Sequence, residues 1–368
     1  MVQVQSDPNP CGIKAVNASS TTKPSHDRIV IAHGGGGELM GRLIRDHLLP
    51  PLSNAKLDAL TDGAVLPWTC DNVVFTTDSF VVTPLRFPGG DIGRLAVVGT
   101  VNDLAVMGAE PVALSLGLII EEGLSIEMLD HVTASIASTA GEAHVDIVTG
   151  DTKVIERRQT GTDPAQDQSA GLFINTAGIG RLRSGVQLGL ERIAAGDAII
   201  VNGNIADHGL TVMSVRSGLE FESTLRSDAA PLAGLIAAML ETNADIKFMR
   251  DATRGGIAGV LADICEATKL SPEIQEADVP LSATARHAAE MLGLDPLTVA
   301  NEGKCVVVVA PDDAERVLAA CRQHPLGRDA AIIGRVTEST PPLVELVTRA
   351  GGRRVVQRPY GEELPRIC

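Results

Sequence analysis

Three aspartates sit at the ends of elements or in unusual places. Asp78 ends the run VVFTTD, Asp103 lies inside the helix-like stretch VVGTVNDLAVMGA, and Asp151 follows an apolar run in VTGDTKV. A carboxylate within an apolar helix costs free energy unless a charge or a hydrogen bond meets it. Mg2+ suits that need, because it takes oxygen ligands and keeps substrate phosphates in its shell. For Asp103 a helix cap or a buried bond to backbone is an equal alternative, but three such carboxylates in one half of the chain favour a metal. Lys153 stands two positions beyond Asp151 on an extended segment, so both face one side. It can bind phosphate oxygens, or be a solvated loop lysine. Glu302 and Lys304 lie in NEGK, just ahead of a strongly apolar strand. Glu302 is a candidate general base if its surroundings raise its pKa, and a turn carboxylate otherwise.

Other segments could hold an anion. Four glycines, Gly34–Gly37, follow the apolar run RIVIAH. Gly35, Gly36 and Gly37 would let backbone N–H groups approach a phosphate, or would make a plain turn. No Gly-Lys-Ser/Thr follows, so this is not a Walker loop. MRDATRGG puts Asp251 and Arg254 at a helix start suited to an anion, with capping by Asp251 or Thr253 as the structural alternative. His208, in ADHG, reads as a loop histidine. The last residue is Cys368, in PRIC. A thiol at a chain end is hard to bury, and nothing follows it to complete a Cys-x-x-Cys pair. It is either incidental or a reagent.

Alternating mixed elements must position these groups. NVVFTTDSFVVTPL alternates as a strand, GRLAVVGTVNDLAVMGAEP reads as a buried helix, and PVALSLGLII as a strand. SIEMLDHVTASIASTAGEA is an amphipathic helix, HVDIVTGDTKVI a strand running into a loop, and AGLFINTAGIGRL a closing strand. A second half starts near ERIAAGDAIIVNGN. It contains strand-like DIKF, a loop at MRDATRGG before a helix, the strand after NEGK, the helix DDAERVLAACRQH, the strand AAIIGRV, and a hairpin turning on Gly351 and Gly352. The boundary lies near residues 184–190. Aromatics make up only 2% of the 368 residues, so the core must be aliphatic, as in sheets covered by helices. The net charge of −15 argues against nucleic-acid binding, and no apolar run approaches a membrane span. The six cysteines show no zinc or redox spacing, which fits a reducing cytosol. Residues 1–27 are polar and read as a disordered extension.

The segments AHGGGGELM, TTDSFVVTP, GTVNDLAVMGAEP, GDTKV, ADHG, MRDATRGG, NEGK, AAIIGRV and PRIC, in this order, resemble the hydrogenase-maturation carbamoyl dehydratase family, HypE. That family belongs with aminoimidazole ribonucleotide synthetase, selenophosphate synthetase and thiamine-monophosphate kinase. The resemblance implies a mixed α/β, two-domain fold: an ATP-binding domain over 28–185 whose sheet forms a homodimer interface, an α/β domain over 186–358, and a flexible tail over 359–368. It implies ATP in the cleft, held by Mg2+ and the glycine-rich segment. Asp78, Asp103 and Asp151 match metal and phosphate positions, and Asp251 matches an aspartate of the selenophosphate synthetase metal site. Lys153 and Glu302 match polar residues around the reacting group, with roles that could be exchanged.

The same resemblance implies a task for Cys368. Its thiol would receive a carbamoyl group from the carbamoyltransferase HypF. ATP-dependent dehydration would turn that thiocarboxamide into a thiocyanate, and the cyanide would pass to iron on a HypC–HypD scaffold for the [NiFe]-hydrogenase centre. Two rivals remain at this level: another small-molecule enzyme of the same ATP-using group, which would not need the tail, and a non-enzymatic scaffold, which would not hydrolyse ATP.

Overall fold

The computed structural model describes residues 28–34, 38–58, 66, 68, 72–157, 171–218 and 225–358. The extension 1–27, Gly35–Gly37 and the tail with Cys368 lie outside the described residues. A 3-10 turn over Ile31–Gly34 is followed by helix α1 (Glu38–Leu43), a π turn (Ile44–Leu48) and α2 (Leu49–Leu52). Leu43 and Leu48 are buried and Ile44 packs against the same core.

Strand β1 (Val73–Phe80), the short pair β2 (Arg86–Phe87) and β3 (Gly90–Asp91), helix α3 (Ile92–Val106), β4 (Ala109–Glu121), α4 (Ile126–Glu142), β5 (Asp146–Ile155) and β6 (Leu172–Leu182) come next. β1, β6, β4 and β5 form one sheet in that order, antiparallel except for the β4–β5 pair. Asp91 starts α3 by accepting the Arg94 N–H at 2.9 Å, and Ser125 starts α4 by accepting that of Met128 at 3.1 Å. Where HVDIVTGDTKVI was expected to run from a strand into a loop, β5 continues through GDTKV. Pairing with β4 keeps those residues extended.

The second half contains β7 (Ala198–Val201), α5 (Asp207–Arg216), α6 (Ala233–Leu240), β8 (Ile246–Asp251), α7 (Gly256–Thr268), β9 (Ser271–Gln275), α8 (Ala283–Leu292), β10 (Cys305–Val309), α9 (Ala314–Gln323), β11 (Ala331–Thr337) and the hairpin β12 (Glu345–Val347) to β13 (Arg353–Val355). Its seven-stranded sheet runs β13-β12-β9-β11-β7-β10-β8. Only β12 and β9 pair in parallel. β9 was not expected. Its SPEIQ sequence contains a proline and three polar residues, and its two neighbours make it a strand. β10 is buried on both faces: Val306 and Val308 join one core cluster, Val307 and Val309 another.

Helix α3 joins the two halves. Thirteen of its fifteen residues are buried, because it lies between the first sheet, α4, α6 and β8. Gly99 allows its close approach to β1, since a Cβ there would stand 2.9 Å from the Phe80 ring. The other face of the first sheet is open. Val73, Phe75, Ile119 and Ile155 share it by register and are between 39% and 66% exposed. Among the described residues no helix is long and apolar enough to cross a membrane.

Candidate active site

Four carboxyl groups converge from both halves of the chain. Asp78 stands near the end of β1 and accepts the Ser79 N–H at 2.8 Å and an Arg254 N–H at 3.2 Å. Burial raises its pKa; these two donors offset part of that. Asp103, on α3, accepts the Thr76 hydroxyl at 2.8 Å. Burial raises its pKa and the nearby charge of Asp78 adds to the rise, while Thr76, Arg254 and Arg250 oppose it. Asp103 is therefore neither a cap nor bonded to backbone; it meets a strand hydroxyl and another carboxylate. Asp251 closes β8. Burial first, then repulsion by Asp103 and Asp78, pushes its carboxyl up to about 7 against the pull of Thr253 and Arg250.

Glu302 is the extreme case. Its side chain is 2% exposed, and both carboxyl oxygens lack a hydrogen-bond partner. Burial, and then Asp251, Asp228, Asp78 and Asp103, hold its pKa well above the ordinary carboxylate value. Burial among other carboxylates thus favours the protonated form of Glu302, and nearby positive charge would favour the ionised one. The loop that carries it is fixed by Asp228, which accepts the N–H groups of Glu302 and Gly303 at 3.3 Å each and pairs with Lys304 at 2.8 Å. Asp228 was missed in the sequence, where RSDAAP gives no periodic or motif signal.

Asp151 and Lys153 are elsewhere. Their side chains pair at 2.7 Å, are 66% and 59% exposed, and the lysine holds the Asp151 carboxyl below its usual pKa. They lie on β5, the edge opposite β1. The register Ser79–Asn175–Gly117–Asp151 crosses three strand spacings, about 14 Å. It also places Asp151 on the open face with Phe75 and Ile119. Within one chain the expected metal set is thus divided. Asp78 and Asp103 meet, Asp151 does not join them, and Asp251, given less weight from sequence, does. Likewise Lys153 is not beside Glu302 within the chain.

The cluster fits a hard cation in its chemistry: oxygen donors only, crowded enough to raise one another's pKa, and flanked by Arg250 and Arg254. Among the described residues no group of three His, Cys, Asp or Glu side chains is placed to hold an ion alone. Mg2+ ordinarily takes one or two carboxylates and fills its shell with phosphates and water. His208 is buried, its Nδ1 2.8 Å from the Ser227 hydroxyl and its ring edge-on to Phe87, which is a packing role. Burial raises the Cys305, Cys321 and Cys265 thiols, so none of these is an activated nucleophile.

Comparison with known proteins gives the family and the fold. The AIR synthase related protein N-terminal domain matches residues 60–182, and the AIR synthase related protein C-terminal domain matches 194–344. Carbamoyl dehydratase HypE of Rhizobium leguminosarum bv. viciae is 46% identical over 345 residues, covering 94% of this chain and 96% of that protein. Carbamoyl dehydratase HypE of Escherichia coli K12 is 43% identical over 347 residues, covering 93% and 100%. A crystal structure of HypE in complex with ATP superposes with a TM-score of 0.85 at 40% identity, covering 92% of this chain and 99% of that one. HypE from a HypE–HypF complex superposes at 0.72 with 43% identity, covering 88% and 100%. Nine ordered motifs, the two-domain fold and identity along almost the full length place the chain in one family: it belongs to the carbamoyl dehydratases of hydrogenase maturation, HypE, enzymes built on the AIR synthase related fold.

Proposed function

We propose that this chain uses ATP to dehydrate a carbamoyl group carried on Cys368, converting a thiocarboxamide to a thiocyanate whose cyanide becomes an iron ligand of [NiFe]-hydrogenase. The observation that carries the reading is the meeting of Asp78 and Asp103 from residues 28–185 with Asp251 and Glu302 from residues 186–358. Oxide cannot leave a carbonyl carbon at neutral pH. In the proposed course the thiocarboxamide oxygen attacks the γ-phosphorus of ATP and ADP leaves. Phosphate then departs with that oxygen as the nitrogen loses two protons and the C≡N bond forms. One or two of Asp78, Asp103 and Asp251 would hold Mg2+ together with the ATP phosphates, Mg2+ would when bound neutralise charge on those phosphates, and Gly35–Gly37 would line them. Glu302 would accept a proton from the nitrogen. It can do so only when ionised, so its buried, unpartnered carboxyl is active only when positive charge offsets its carboxylate neighbours. Lys153 would stabilise the phosphoryl or the developing oxyanion; the two roles remain exchangeable.

The tail starts close to this cluster. Arg358 pairs with Asp263 and with Glu266, and Asp263 also pairs with Arg250, next to Asp251. Ten residues then lead to Cys368, a reach of about 33–36 Å when extended. That is enough to enter the cluster or to swing to a partner protein. A solved complex of relatives joins HypE to HypF, which supports HypF as the carbamoyl donor; a HypC–HypD complex is proposed as the acceptor, in the cytoplasm. The open apolar face of the first sheet supports a homodimer. Asp151 and Lys153 lie on that face, so a homodimer formed through it would enclose both copies' pairs.

The test is incubation with HypF, carbamoyl phosphate and ATP, following the mass of the C-terminal peptide. Carbamoyl gain followed by ATP-dependent loss of water is expected. A carbamoylated peptide that never loses water in the presence of ATP would sink the reading.

A further inference from the structure

Among the described residues the Glu302 carboxyl makes no hydrogen bond, so its position is set by packing and by how its backbone is held. Two groups hold that backbone. On its amide side is Asp228, as described above. Gly303 lies so close to that segment that a Cβ would stand 2.0 Å from the Asp228 carbonyl oxygen. On its carbonyl side is Asn102, from the other domain. Asn102 is 2% exposed in α3 and directly precedes Asp103. Its Nδ2 donates to the Glu302 carbonyl at 3.1 Å and to the Ala230 carbonyl at 3.2 Å, while its Oδ1 accepts the Leu232 N–H at 2.7 Å. One orientation of the amide satisfies all three bonds; the flipped one satisfies none.

We infer that Asn102 is a positioning residue for the reaction: through its amide it holds the Glu302 carbonyl against α3, so that the Glu302 carboxyl keeps its place relative to Asp103. The adjacency is what gives this effect. Residues 102 and 103 are consecutive on a rigid, buried helix. One grips the loop of the proton acceptor and the next supplies a carboxylate of the cluster. The domain contact and the reacting geometry therefore depend on the same side chain. In the sequence the signal for Asn102 is a second polar residue beside Asp103 in an apolar helix.

The inference rests on Glu302 being the proton acceptor. In the full chain with a carbamoylated tail, Asn102→Ala is expected to lower kcat on the order of 100-fold, the scale of a 1 Å misplacement, with ATP affinity by calorimetry unchanged. In a Glu302→Asp background, where the carboxyl is already displaced, the same substitution should cost little more, since the two act as one unit. An unchanged kcat, a fall in ATP affinity that tracks the fall in turnover, or the same fold-loss in both backgrounds overturns the inference. Asn102→Ser carries the same readouts if the alanine variant does not fold. Glu302→Gln separates the two levels. Full turnover there removes the role of Glu302 itself, while lost turnover there with an unchanged kcat in Asn102→Ala removes only that of Asn102.

Discussion

The Asp251 carboxyl, held at about 7, makes stability depend on pH in a defined direction. In the unfolded chain it ionises near 3.8, so between these values the folded state binds a proton that the unfolded state has released. Its contribution is fully present below the lower value and is lost as pH rises through the upper one. Asp251→Asn should therefore raise the Tm of the ligand-free protein at pH 8, by about 2–4 °C for each kcal/mol relieved. The gain should shrink towards pH 4. A gain that is the same at both pH values in thermal melts would show that the cluster is not crowded in the way described. At Cys368 the expectation is chemical. Cys368→Ala should bind ATP normally and accept no carbamoyl group, and a carbamoyl adduct on that variant by mass spectrometry would reject the assignment.

Helix α3 is the element on which the most depends. It is buried on nearly all sides and carries both Asn102 and Asp103, and it approaches β1 only because residue 99 has no side chain. Gly99→Val would force the helix from Phe80. It should cost about 1–3 kcal/mol in urea unfolding and weaken nucleotide binding by moving Asp103 from Thr76 and Asp78. Destabilisation with nucleotide affinity intact would separate the helix's packing from the site. Strand β5 shows the opposite case. The sequence reads HVDIVTGDTKVI as a strand running into a loop, yet nine register pairs with β4 hold it extended to Ile155, and the Asp151 and Lys153 side chains turn outward.

At the scale of the whole molecule, the open face of the first sheet and the placement of Asp151 and Lys153 on it make one prediction. If a second copy completes the site, Lys153→Ala and Asp103→Asn should each be inactive alone. Co-refolding the two should restore about a quarter of wild-type turnover, since half of the dimers are mixed and each mixed dimer has one intact site. No recovery, with mixed dimers verified by native mass spectrometry, would place Lys153 in its own subunit's site, and an active Lys153→Ala would place it outside the reaction. Phe75→Asp should shift the protein to monomer in sedimentation and abolish turnover together.

Residue types, apolar periodicity and motif order were enough to identify most elements and the family, and to single out Asp78, Asp103 and Glu302 as candidates. That follows because burial of a strand or helix face is written locally, at spacings of two or three to four residues. Which carboxylates share a site is not local. Asp103 meets Thr76 across 27 positions and Asn102 meets Glu302 across 200, and only the packing of α3 between two sheets decides it. The same packing separated Asp151 from its expected partners and brought in Asp251 and Asp228. A carboxyl group's pKa and reach depend on what surrounds it in space, and for these residues most of the surroundings come from distant parts of the chain.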